Sequence, residues 1–281
     1  MAYYDVKEKK PWRIDTIPAF CINLERRPDR WTEFMKQPGV PPNVKRFKGV
    51  DGSTLNILTD DRIPLITKRN ILRKTRRAHE ELNTAGGIGC ALSHIAVWEW
   101  ILQNQSPVTL IFEDDAKVPA NFVEYMNATL ERSALLKDTS QWDLLTLTST
   151  RPQPKPYRSD PDIHTIDSFI GFQCYLITLP CAKRFLQEAY TLHMHIDLWT
   201  AIFKQEHGLD ILCLPKFTVS QRSSKTDIQD LNGCKLCDLS PTYYQTHTMV
   251  RNEEYLLLKA MEIALGAGFL YAIYKYSFPS R

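Results

Sequence analysis

The sequence predicts an α/β domain, and two observations predict it. Thr16 to Leu24, "TIPAFCINL", is short, apolar and strand-like; it runs into a helix start at Pro28, and Val44 to Val50, "VKRFKGV", follows as a second strand. Alternation of strand, helix and strand is the pattern of an α/β sheet. Further along, an apolar run from Val108 to Phe112 stops at three consecutive carboxylates, Glu113, Asp114 and Asp115. In open α/β sheets, ligands gather outside the carboxyl ends of the strands, and this trio stands at such an end.

The elements can be justified in order. Pro28 suits the first turn of a helix, which continues through Trp31 and Phe34. Asp51-Gly52 closes the second strand with a turn signal. Lys68 to Arg77, "KRNILRKTRR", carries six cations in ten positions. It reads as a solvated face or loop, with a phosphate contact as the sharper alternative. Gly86 to His94, "GGIGCALSH", reads as a glycine-rich turn feeding a helix on which Ala91, Ile95, Trp98 and Leu102 share one face. Such an N-terminus can receive an anion, but the Lys-Ser/Thr pair of a P-loop is missing. Asn121 to Leu136 reads as a helix and Trp142 to Ser149 as a buried strand. Arg151 to Asp162, with four prolines, reads as an extended loop. Ser168 to Leu179 is a strand region, Cys181 to Tyr190 a helix, His195 to Trp199 the start of another, and Leu212 to Val219 a late strand.

The gross numbers bound the class. The chain has 281 residues, 43% hydrophobic and 24% charged, ordinary for a globular protein with a large core. A net charge of +3, from 35 basic and 32 acidic residues, does not argue for nucleic acid. Seven scattered cysteines do not read as a disulfide framework and point to a reducing compartment. Met1 to Arg13 is polar and has no apolar core of a signal peptide. Ile263 to Tyr274 is uncharged but shorter than the roughly 20 apolar residues of a membrane span. A core helix is the favoured reading. Peripheral membrane contact through residues 256–276, flanked by Tyr271, Tyr274, Lys275 and Tyr276, is the minor one. The location expected is therefore cytoplasmic. The chain divides into a polar extension over 1–15, one domain over 16–230 and a C-terminal extension over 231–281.

Three adjacent carboxylates repel one another unless a cation sits among them. As hard oxygen ligands they suit Mg²⁺ or Mn²⁺ rather than zinc. An ion so held completes its shell with substrate phosphates, which points to metal-assisted departure of a nucleotide diphosphate. An exposed acidic turn with Asp114 or Asp115 as a cap is the alternative. His193, His195 and Asp197 alternate and would share a face only on a strand, and Cys234 and Cys237 form a lone CxxC without a second pair.

The blocks "CINLERRPDRW", "FKGVDG", "GGIGCALSHIAVW", "LIFEDDA", "WDLLTL" and "GFQCYLIT" resemble, in this order, glycosyltransferase family 25. The tail of that pattern is matched by Pro215, Gln221, Ser224, Asp227 and Ile228, so the resemblance covers roughly residues 17 to 230. It implies a GT-A-type fold for nucleotide-diphospho-sugar transfer, with a mostly parallel central sheet flanked by helices. It also implies metal dependence, inversion at the anomeric carbon, a UDP-sugar donor and a glycan or glycosylated protein or lipid acceptor. Galactose comes from the family and from no residue here. Glu113 and Asp115 would hold Mn²⁺ or Mg²⁺, and Asp114 would meet the donor sugar or ribose. Asn23, Leu24, Arg26, Arg27 and Arg30 would flank the nucleotide, Asp51 the base and ribose, and Ser93 and His94 the donor near the metal. His94 is otherwise a core histidine.

An inverting transferase needs one general base for the acceptor hydroxyl. Asp197 is chosen, since the family has an acidic residue at the corresponding place, with His195 second; Asp197 reads alternatively as a helix N-terminal residue. Without a signal peptide, cytoplasmic glycan assembly fits better than the secretory role of the family's collagen enzymes. A phosphohydrolase or nucleotidyltransferase competes, but Ala116-Lys117 does not fit the usual aspartyl-nucleophile setting. The third reading is a non-catalytic scaffold or binding protein that retains the fold.

Overall fold

A computed structural model describes residues 11–76, 80–148, 155–157, 160–167, 169, 171–190, 192–214, 216–217, 219–222, 263–265 and 267–268. The chain forms two compact units, Met1–Leu231 and Asn232–Arg281. The first opens with β1 (Ala19–Asn23), α1 (Pro28–Met35) and β2 (Val44–Lys48), then a 3-10 turn (Gly52–Thr54), α2 (Leu65–Arg73) and α3 (Ala85–Gln103). It continues with β3 (Val108–Glu113), β4 (Ala116–Lys117), α4 (Phe122–Arg132), α5 (Ala134–Lys137) and β5 (Leu144–Thr146). β6 (Lys155–Tyr157), β7 (Asp160–Thr165), β8 (Cys174–Thr178), α6 (Leu179–Phe185), α7 (Ile196–His207), β9 (Ile211–Cys213) and β10 (Ser220–Gln221) complete it.

Eight strands form one sheet in the order β2-β1-β3-β8-β5-β9-β7-β6, and β10 pairs with β4 beside it. β1, β2, β3, β5, β9 and β6 point one way, while β8 and β7 run against them. The sheet is thus mostly parallel in direction, as the GT-A-type expectation has it. Side chains alternate across it. Ala19, Cys21, Leu110 and Phe112 pack on one face with Phe34 of α1 and Phe122 of α4. Phe20, Ile111, Tyr175 and Ile177 pack on the other with Trp98 of α3, Phe185 of α6 and Trp199 of α7. This period of two is what a sheet covered on both faces demands.

Pro28 stands at the start of α1, and Asp51 caps the 3-10 turn by accepting from the Ser53 N–H at 3.0 Å. Several boundaries differ from the sequence reading. The helix expected over Asn121 to Leu136 breaks at Ser133, whose hydroxyl caps α5. The proline-rich loop is in part a hairpin, β6 with β7, in which β6 is the sheet's outer strand and β7 lies between it and β9. The glycine-rich turn is the first turn of α3 itself, capped by Thr84, whose Oγ1 accepts from the Gly87 N–H at 3.1 Å. Nor is α3 one-faced: Leu92, Val97 and Ile101 are buried along with Ala91, Ile95 and Trp98, and α6 packs against the helix as well. Among the described residues it is the helix long and apolar enough to cross a membrane, and its burial is that of a core helix.

Most of the basic stretch lies on α2, with Lys74 as its left-handed C-cap; Arg77 lies outside the described residues. In the second unit the described residues 263–265 and 267–268 are helical, and the rest of the span read as a core helix lies outside the described residues. Tyr271, Tyr274, Lys275, Tyr276, Cys234 and Cys237 lie outside the described residues.

Candidate active site

β1 and β3 are parallel neighbours with Ile22 opposite Glu113, so Asn23 and the acidic trio emerge side by side at one sheet edge. β8 begins at that edge, where the Glu113 N–H donates to the Gln173 carbonyl at 3.0 Å. The β4–β10 ribbon sets Gln221 opposite Ala116. A cleft results, lined by Leu24, Arg26, Arg30, Asp51, Ser93, His94, Glu113, Asp114, Asp115 and Gln221. Asn23 supports it from below, and Arg27 stands outside the lining, paired with Asp29 at 2.9 Å.

The cation among the carboxylates is, first of all, Arg30. Its guanidinium lies 2.8 Å from Asp114 Oδ1 and 2.9 Å from Asp115 Oδ2. Asn23 Nδ2 donates to the other Asp114 oxygen at 2.6 Å, and Arg46 Nε holds Asn23 Oδ1 at 2.8 Å. Burial pushes the Asp114 carboxyl up; Arg30 and Asn23 pull it back. Asp114 is therefore bound on both oxygens by the protein itself. Asp115 Oδ2 also accepts from Gln221 Nε2 at 2.9 Å, while Asp115 Oδ1 is buried without a hydrogen-bond partner among the described residues. Arg222 closes the turn, its N–H donating to the Asp115 carbonyl at 2.7 Å and its guanidinium to the Asp114 carbonyl.

Glu113 faces the other way, toward α3. Its Oε1 lies 3.1 Å from His94 Nε2 and 3.8 Å from Cys90 Sγ. Burial holds the Glu113 carboxyl above its usual value; His94 opposes this, and Asp115 and Asp197 add to it. Burial likewise pushes the Cys90 thiol well up. His94 Nδ1 is 2.9 Å from the Tyr175 hydroxyl, which Trp98 Nε1 also reaches at 3.1 Å.

The third wall is α3 against the Val50-Asp51-Gly52 turn. A Cβ on Gly52 would lie 1.7 Å from the Ala85 carbonyl oxygen, and one on Gly89 would lie 2.5 Å from that of Val50. The glycines thus let two backbones touch. Ser93 ties the same contact, donating to the Gly89 carbonyl at 2.6 Å and accepting from the Val50 N–H at 2.8 Å. Asp51 accepts from the Ser53 hydroxyl at 2.7 Å and from Arg26 Nε at 2.6 Å. The Ser53 hydroxyl, with Arg26 after it, lowers the Asp51 carboxyl. Gly52→Ala is expected to cost about 1–3 kcal/mol by forcing these backbones apart. An unchanged urea midpoint would contradict that contact.

Asp197 lies in the first turn of α7, outside the cleft lining but close enough to act electrostatically on Glu113. Its Oδ2 accepts from the Gly171 N–H at 2.7 Å and its Oδ1 from the Leu198 N–H at 2.9 Å. Gly171 has φ of +86°, so the carboxylate pins a turn only glycine adopts readily. His195 is the N-cap of α7 and Met194 bridges Glu81, so His193, His195 and Asp197 continue no strand.

Glu113 and Asp115 fit a divalent cation: two repelling carboxylates, one raised by burial and one with an orphaned buried oxygen. Cys90, His94 and Glu113 also offer ligand atoms within 4.8 Å of one another. That mixed set suits a softer ion, but His94 Nε2 already bonds Glu113. Arg46, Tyr175, Cys90 and Trp98 were absent from the sequence-derived site. Gln221 entered only through the tail of the family pattern, and Pro215, Ser224, Asp227 and Ile228 lie outside the described residues.

A sequence model described as "Glycosyltransferase family 25 (LPS biosynthesis protein)" matches residues 16–200, which carry β1, β3, β8 and the acidic turn. The chain belongs to glycosyltransferase family 25. A "Glycosyltransferase 25 family member" of Drosophila pseudoobscura pseudoobscura is 28% identical over 233 residues, 74% of this chain and 35% of the relative. "Procollagen galactosyltransferase 1-A" of Xenopus laevis is 26% identical over 215 residues, 74% of this chain and 34% of the relative. "Probable inactive glycosyltransferase 25 family member 3" of Rattus norvegicus is 28% identical over 150 residues, 52% of this chain and 25% of the relative. This family 25 chain spans about a third of the length of the first two relatives.

Proposed function

We propose that this family 25 domain is a metal-dependent, inverting hexosyltransferase that moves a hexose, galactose by analogy with its relatives, from a UDP-sugar to an acceptor hydroxyl. The acceptor is a glycan or a glycosylated protein or lipid. The observation that carries this reading is Asp115 Oδ1, buried and without a partner among the described residues, at the strand end where Asp115 also raises the buried Glu113 carboxyl. The name of the Xenopus relative supports the sugar.

Glu113 and Asp115 would hold Mn²⁺ or Mg²⁺, and the ion would supply charge neutralisation for the departing diphosphate. Arg26, at the cleft wall beside Asp51, would meet the nucleotide, and Leu24 would give the base an apolar surface. Asp114, bound by Arg30 and Asn23, orients the turn, and from the cleft lining it would meet the donor sugar or ribose. Asp197 would take the proton of the acceptor hydroxyl as its oxygen bonds to the anomeric carbon and the bond to UDP breaks.

A scaffold is the second reading. Two observations favour it: one relative is named probable inactive, and Arg30 already supplies a cation to Asp114 and Asp115. Thermal unfolding separates the two. A transferase gains stability from UDP and Mn²⁺ together, about 2.7 kcal/mol at 100-fold excess over Kd, and a scaffold gains none. Asp115→Asn is expected to abolish that gain and Mn²⁺-dependent hydrolysis of the donor. Full turnover in this variant would refute the metal seat.

A further inference from the structure

Tyr175 is fully buried on β8, and its hydroxyl connects α3 to the acidic turn. Trp98 Nε1 lies 3.1 Å from the phenol oxygen, His94 Nδ1 lies 2.9 Å from it, and His94 Nε2 lies 3.1 Å from Glu113 Oε1. The direction of this chain can be worked out from its first member. An indole N–H only donates, so the phenol oxygen accepts there. Among the described residues, the acceptor available to the phenol hydrogen is then His94 Nδ1. If Nδ1 carried a hydrogen instead, the phenol would receive two donors and its own O–H would be orphaned in the core, an expensive arrangement. With Nδ1 accepting, the ring hydrogen sits on Nε2 and points at the carboxylate.

We infer that Trp98 and Tyr175 are positioning residues that lock His94 in its Nε2–H tautomer and so hold Glu113, as an acceptor, in a single orientation at the acidic turn. The chain runs one way, Trp98 to Tyr175 to His94 to Glu113. Ring packing does not account for it. Trp98 and Tyr175 would keep their contacts with Phe172 and Phe185 if the phenol oxygen were removed, but the direction of the chain would be lost. What Glu113 does once held, namely bind a divalent cation, rests on the proposed function; the tautomer does not.

The test uses the full chain without metal, labelled with ¹⁵N-histidine, and the wild type is decisive by itself. Of the seven histidines, His94 is identified by the signals lost in His94→Gln. The expected spectrum has Nδ1 bare and Nε2 protonated. Tyr175→Phe should shift His94 toward the Nδ1–H form or a mixture. A wild-type His94 with hydrogen on Nδ1 overturns the inference, whatever the variants do. The second arm titrates Mn²⁺ in the presence of UDP by electron paramagnetic resonance. Tyr175→Phe should weaken Mn²⁺ binding about 10–100-fold, the usual consequence of removing a group that orients a metal ligand. A tautomer shift with Mn²⁺ affinity within about twofold of wild type overturns the positioning role. If the wild type binds no Mn²⁺ with UDP, the proposed function fails, and the nitrogen spectrum still decides the tautomer.

Discussion

Arg30→Ala is expected to destabilise the chain by about 3–5 kcal/mol, the cost of removing one member of a buried ion pair and leaving the other uncompensated. Arg30 bridges two carboxylates, and all three side chains are largely buried, at 12%, 9% and 12% exposure for Arg30, Asp114 and Asp115. The sign of the pH dependence follows from Asp114. Burial holds its folded-state pKa above the ordinary 3.8, with Arg30 opposing. The folded state therefore binds a proton that the unfolded state has released, and stability falls as pH rises through that window. Removing Arg30 raises the Asp114 pKa further, so the variant's deficit should be smallest at low pH and grow once pH passes the raised folded-state pKa of the wild type. Urea unfolding of both proteins across that range checks it. A constant deficit would mean that Arg30 acts by packing alone.

Asp197→Asn is expected to lower kcat by about 10²–10⁴-fold, the range for loss of a general base. Affinity for UDP with Mn²⁺ should stay unchanged. The geometry gives the competing outcome a definite form as well. Asp197 accepts from the Gly171 and Leu198 N–H groups, and the amide keeps only one acceptor oxygen. Losing a charged hydrogen bond to Gly171 costs about 1.5–3 kcal/mol. If kcat, UDP affinity and unfolding midpoint fall together, Asp197 is an anchor for the Gly171 turn, and the base lies elsewhere.

Much of the local structure was legible. Pro28 marks the start of α1, Asp51 caps its turn, the strands β1, β3 and β8 lie within the largely apolar segments that predict them, and β2 lies within Val44 to Val50. These features depend on residues within one or two turns of each other, and local patterns carry them. The hairpin of β6 and β7 was not legible, because each strand carries a proline and neither is an apolar run, and only pairing with each other and with β9 makes them sheet. The second and third faces of α3 were hidden for a related reason. A helix covered by both the sheet and α6 has no polar face to set its period.

The sequence by itself determined that three carboxylates end a buried strand and require a cation, and its ordered blocks determined the family. Tertiary structure alone decided which side chain answers each carboxylate. Asn23 lies 91 residues from Asp114, and Tyr175 lies 81 residues from His94. Their meeting depends on strand order and register, which set β1 beside β3 and β3 beside β8. The same register divides the trio: Asp114 to Arg30 and Asn23, Glu113 to His94, and Asp115 left with one oxygen unclaimed. Charge in a sequence states a need for neutralisation; only the folded arrangement of distant strands states what meets it.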